Sequence, residues 1–157
     1  MRFCCVLAVL GIASLAPGAE PAAKIGTASG SFSAGGKTAK LAFAAAFTDQ
    51  KDDKKPAILV LSDKEVPASA WKSGSDLSAY RREHPFLGVV FWLDAKNDAF
   101  RCEYYDGTSF PTSAFGLFDV KVNRAAGSLS GSAKSNQAAA KLREPVTLDV
   151  KFSAALK

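Results

Sequence analysis

Cys102 and His84 are the two side chains whose types could together do nucleophilic chemistry. His84 is the single histidine, and of Cys4, Cys5 and Cys102 only the last lies beyond the N-terminal apolar run. A thiol beside an imidazole can supply a thiolate nucleophile. The surroundings favour plainer roles. Cys102 alternates with Phe100 and Tyr104, the face a strand turns to the core, and unpaired cysteine is among the most buried residue types. His84 stands before Pro85 at the end of a helical segment, where it can close the last carbonyls. A single histidine leaves a zinc site without its usual ligands. No metal and no cofactor are expected.

Carboxylates form the second set. Glu103, Asp94 and Asp119 could act in pairs on a glycoside, but each falls where a residue is expected to face solvent. Asp94 with Asp98, and Asp49 with Asp52 and Asp53, could ligate calcium. Neither group has the glycine and terminal glutamate of a calcium loop, and lysines sit among both, so solvated turns are expected. Ser31–Thr38 ends in Gly-Lys-Thr like a phosphate-cradling loop. That loop requires glycine where Ser31 stands, and a helix where period-two alternation follows. Gly35-Gly36 reads instead as a hairpin turn. Gly127-Ser128-Leu129-Ser130-Gly131 misses the spacing of a nucleophile elbow. No catalytic constellation emerges, and the balance leans away from an enzyme.

Aromatic side chains carry the remaining options. Phe43, Phe47, Trp92, Tyr104 and Phe118 could wall an apolar cavity inside a barrel. Tyr105 and Phe110 fall near turns and could form an exposed partner-binding surface. Core packing is the plainest use of all of them.

The elements that must position these residues begin after an export signal. Arg2 precedes an apolar stretch, Phe3–Ala16, and Pro17-Gly18-Ala19 offers small residues for cleavage, so residues 1–19 read as a cleaved signal peptide. The apolar stretch is too short to span a bilayer, which takes about 20 residues, and no later run qualifies. Residues 20–157 read as one β-rich domain, periplasmic or extracellular. With Cys102 alone remaining, an intrachain disulfide is impossible, and the thiol is either buried or paired with another chain. The chain has 157 residues with 48% hydrophobic composition, which argues against disorder. Its net charge of +5 is dispersed among acids, without the basic stripe that nucleic-acid binding needs.

Period-two alternation recurs along this domain. Leu41, Phe43, Ala45 and Phe47 are expected on one face of a strand, and Phe118, Val120 and Val122 alternate with Asp119, Lys121 and Asn123. Phe86–Leu93 is apolar on both faces and must be covered twice. The expected second cover is a helical insert at 67–84, starting at Pro67, split by Gly74 and carrying Trp71, Leu77 and Tyr80. Val146, Leu148, Val150 and Phe152 mark the last strand; Pro145–Phe152 resembles the late strand of periplasmic lipocalin-like proteins of the YceI family, over that segment alone. The expected fold is all-β and mainly antiparallel, an about eight-stranded sandwich or barrel with the short insert. The expected function is an exported, non-catalytic binding or interaction module of unknown ligand or partner, the partner being a protein or a small apolar molecule. The alternatives are a lipocalin-like carrier of a small apolar ligand and a hydrolase using Cys102 and His84 or paired carboxylates.

Overall fold

The computed structural model describes residues 26–68, 71–108 and 110–157. The expected signal peptide lies outside the described residues. Nine strands form one sheet: β1 (Gly26–Ala34), β2 (Lys37–Thr48), β3 (Ala57–Ser62), β4 (Leu87–Leu93), β5 (Ala99–Asp106), β6 (Thr112–Ser113), β7 (Phe118–Ala125), β8 (Ser128–Ser135) and β9 (Thr147–Ala155). Among the described residues two α-helices interrupt them, α1 (Gly74–Glu83) and α2 (Gln137–Ala140). The strand order is β6-β5-β4-β3-β2-β1-β9-β8-β7, and every neighbouring pair is antiparallel. Two meanders are thus joined at their middle by β1 and β9. The sheet curls into a half-barrel. Across the concave side, the Phe91 ring of β4 meets the Phe118 ring of β7 edge-on, with centroids 6.1 Å apart.

The all-β antiparallel expectation holds, with one strand more than the periodicity revealed. That strand, β6, has two residues, too few to display a period. Gly35 and Gly36 form the expected turn between β1 and β2. Their φ angles of +56° and +71° suit a two-residue hairpin, which needs positive φ at both central positions. Lys37 therefore opens a strand instead of a phosphate-binding helix, and its Nζ donates to the Asp106 carbonyl at 2.7 Å.

Two irregularities redistribute the side chains. Between β1 and β2 the register shifts from the Thr27–Phe43 pair to the Gly30–Leu41 pair, so that Ala28 and Ser29 of β1 stand opposite Ala42 alone. Such a bulge adds a residue to one strand and exchanges the faces beyond it. Leu41 consequently points into the concave core, whereas Ala45 and Phe47 pack on the convex side, with Phe43 in step with them. The expectation that all four share one face is corrected by this shift. In β5, Leu93 pairs with Ala99 and Trp92 with Arg101, leaving Phe100 as the extra residue. It turns outward, 48% exposed, instead of joining Cys102 in the core.

The concave core gathers Phe32, Leu41, Leu59, Phe91, Leu129 and Leu148 from both meanders. The convex side of β3 and β4 is the second buried face, as the apolar β4 demands. It is covered by the segment after β3: Trp71 and Leu77 are buried there against Phe47, Ile58, Val60 and Val90, with Tyr80 packed alongside. Burying a side chain of leucine size stabilises by roughly 1.5–3 kcal/mol. Before Gly74, Ala68 is 3₁₀ in conformation and its carbonyl accepts from the Trp71 N–H at 3.2 Å; among the described residues the α-helix of this insert, α1, starts at Gly74. The cause is a capping contact from β2's end: Asp49 Oδ2 accepts from the Gly74 N–H at 2.8 Å. A Cβ on Gly74 would meet Ile58 Cδ1 and Trp92 Nε1 at 3.5 Å, an ordinary contact distance, so α1 starts packed against the sheet.

Candidate functional site

The thiol and the imidazole belong to opposite faces of the sheet. Cys102, 5% exposed, lies in the concave core. Burial pushes its thiol well above the ordinary range, and the nearby Glu103 charge adds to this. His84 follows α1 on the convex side, exposed. Its N–H closes the helix on the Tyr80 carbonyl at 2.9 Å, and its ring stacks on Tyr80 at 4.6 Å. With the sheet between them, the two cannot share a proton. A consequence is measurable: labelling of Cys102 by a maleimide at pH 7, followed on its own peptide by mass spectrometry, is expected to be about 100-fold slower in the folded protein than in denaturant. Labelling as fast as that of the denatured chain would restore the thiol chemistry.

The carboxylates serve turns and local pairs. Asp94 Oδ1 accepts from the Lys96 and Asp98 N–H groups at 2.8 and 2.9 Å. Asp49 Oδ1 accepts from Lys51 N–H at 3.0 Å, and Asp52 Oδ1 from Lys54 N–H at 2.8 Å. These are Asx turns, and among the described residues no group of histidine, cysteine and carboxylate side chains could hold a metal ion. Asp119 accepts from Asn136 Nδ2 at 3.4 Å.

Glu103 is the most engaged of them. It accepts from the Arg101 guanidinium at 2.5 Å and from the Tyr105 hydroxyl at 2.8 Å. Arg101 also lies over the Trp92 ring, 4.4 Å from its centroid, and Arg81 of α1 over the Tyr105 ring at 5.3 Å. Burial raises the Tyr105 phenol far above its usual range, and the Glu103 carboxylate reinforces the shift. A phenol held neutral and donating to a carboxylate two residues away on the same strand is a poor nucleophile. Alternation marks Glu103 as outward-facing, but no sequence spacing links it to Trp92 or Arg81, which come from other elements.

The five residues considered as a cavity wall are divided between the faces. Phe47 and Trp92 lie in the convex cluster, Tyr104 and Phe118 pack on the concave core, and Phe43 belongs to neither. Inside the curl, Phe32, Leu41, Leu59, Leu61, Val89 and Phe91 are all 0% exposed and belong to one packed cluster. Tyr105, expected near the surface, is 2% exposed: its ring is enclosed by Phe86, at 5.0 Å, and Arg81. Phe110 is exposed, at 80%, and Phe115 joins it at 68%. Both flank β6, and the exposed Phe100 opens β5, the strand that β6 pairs with. Sequence reasoning gives Phe115 no role; the available signal is the turn-forming Gly116 beside it.

A cleft of about 290 Å³ lies where α1 ends, lined by Lys64, Glu65, Tyr80, Glu83, His84 and Phe86 among others. Its charges are of both signs. No family model, curated protein or solved structure matches the chain.

Proposed function

We propose that the protein is an exported, non-catalytic binding module, acting in the periplasm or outside the cell, that engages another protein through the aromatic margin of its sheet. The observation that carries this reading is the exposure of Phe110 and Phe115 on either side of β6. Large aromatics are costly to leave in water and are enriched where partners anchor. Export is supported by Arg2 and the apolar Phe3–Ala16 segment followed by small residues. The non-catalytic part is supported by the separation of Cys102 from His84 and by the structural employment of the carboxylates.

The test places a photo-crosslinking amino acid at position 110, in the cells that make the protein. A single discrete adduct from that position, absent when the crosslinker replaces the exposed Lys151 of β9, is the expected result. No adduct, or the same adducts from both positions, removes the aromatic margin as the binding surface. The carrier reading has its own outcome: native mass spectrometry would find a retained small molecule on the purified protein, whereas the module gives the bare chain mass.

A further inference from the structure

The two sheet edges differ. β6 is two residues long, whereas β7 presents eight residues that, among the described residues, pair on one side only, with β8. An unpaired edge of that length exposes a row of N–H and C=O groups that can take another strand. We propose that a second copy of this chain pairs antiparallel along β7, about a two-fold axis through Val120.

The charges on β7 choose the occupant and the register. Asp119 and Lys121 project from the exposed face, one on each side of Val120. Placing Val120 opposite the partner's Val120 sets Asp119 against the partner's Lys121 and Lys121 against the partner's Asp119. The same register puts Phe118 beside the partner's Val122 on the other face, and Val122 beside the partner's Phe118. These three apolar residues are half-buried in the single chain and pack on the concave core, so the pairing would extend that core across the axis. Centring the axis on Asp119 or on Lys121 sets like charges directly opposite, which destabilises. A one-residue slip turns the apolar set of one copy to the charged face of the other. Self-complementarity about a two-fold is what an isologous dimer requires. A strand pair of this length lies at the small end of stable interfaces, so association is expected to depend on concentration. This inference does not rest on the aromatic margin.

Sedimentation velocity over a concentration series tests it, with the protein as its expression host processes it. The parent is expected to shift from monomer to dimer. Asp119→Lys and Lys121→Asp are each expected to weaken self-association at least tenfold, because each sets like charges against one another on both sides of the axis. Mixed, the two variants are expected to form a heterodimer, since their β7 strands carry opposite charges. Within the chain Asp119 faces Lys134 across β8 and Lys121 faces Ser132, so circular dichroism accompanies each variant. The heterodimer readout separates loss of pairing from loss of fold. A parent that stays monomeric at all concentrations, variants that dimerise like the parent, or a mixture that stays monomeric would each overturn the proposal.

Discussion

Gly30→Ala is expected to destabilise the protein by about 3 kcal/mol or more, a large share of the roughly 5–15 kcal/mol that holds a domain together. Gly30 sits in β1 opposite Val150 of β9, at the seam between the two meanders. A Cβ there would collide with the Asp149 carbonyl oxygen and approach the Val150 Cα to 2.5 Å. Both atoms are backbone, so no side-chain rotation relieves the contact, and the two central strands have to separate. Gly116→Ala is the comparison. It meets nothing within 4 Å and bears only a positive φ of +76°, a conformation that costs an alanine about 1–2 kcal/mol. Urea unfolding of the two variants should show the larger drop in midpoint for Gly30→Ala. Equal drops would mean that the seam yields without loss.

Alkali is expected to unfold the protein earlier than an ordinary β-domain. Cys102 and Tyr105 both have their ionisation pushed up by burial. In the unfolded chain they ionise near pH 8.5 and pH 10, as ordinary thiols and phenols do. The sign follows directly. Below the unfolded values both states hold their protons and stability is unaffected. Above them the unfolded state releases protons that the folded state retains, so stability falls as pH rises. Each group contributes a slope of about 1.4 kcal/mol per pH unit once the unfolded form is ionised. By pH 11 the combined loss is on the order of 5 kcal/mol. Thermal melts from pH 8 to pH 11 measure it, and Cys102→Ala with Tyr105→Phe should flatten the upper part of the profile. An unchanged profile in that double variant would exclude both groups as the cause.

What the sequence disclosed follows from how far each signal reaches. Period-two alternation is a property of one strand, so β7 and β9 were legible residue by residue: Phe118, Val120 and Val122, and then Leu148, Val150 and Phe152, all turn to the concave core. The doubly apolar β4 also announced that something must cover its second face, and Trp71, Leu77 and Tyr80 do so. Bulges were not legible. A single added residue leaves no mark on composition, yet it moved Leu41 away from Phe43 and turned Phe100 to solvent. Tyr105 was misplaced for a related reason. Position near a turn argues for exposure only when nothing packs above it, and α1, distant in sequence, brings Arg81 over the ring. The candidate site suffered most, because the grouping of Phe110, Phe115 and Phe100 along one margin depends on β6, the strand too short to register.

The central pairing of β1 with β9 also sets an order of events. The first and last described strands are neighbours, so the seam that unites the two meanders cannot form until the nine-residue β9 has left the ribosome. Contacts so distant along the chain are slow to make. Until then β1 lacks a partner on one side, and the residues destined for the concave core have only half of their neighbours. A polypeptide wired in this way completes its core only when its last described strand docks.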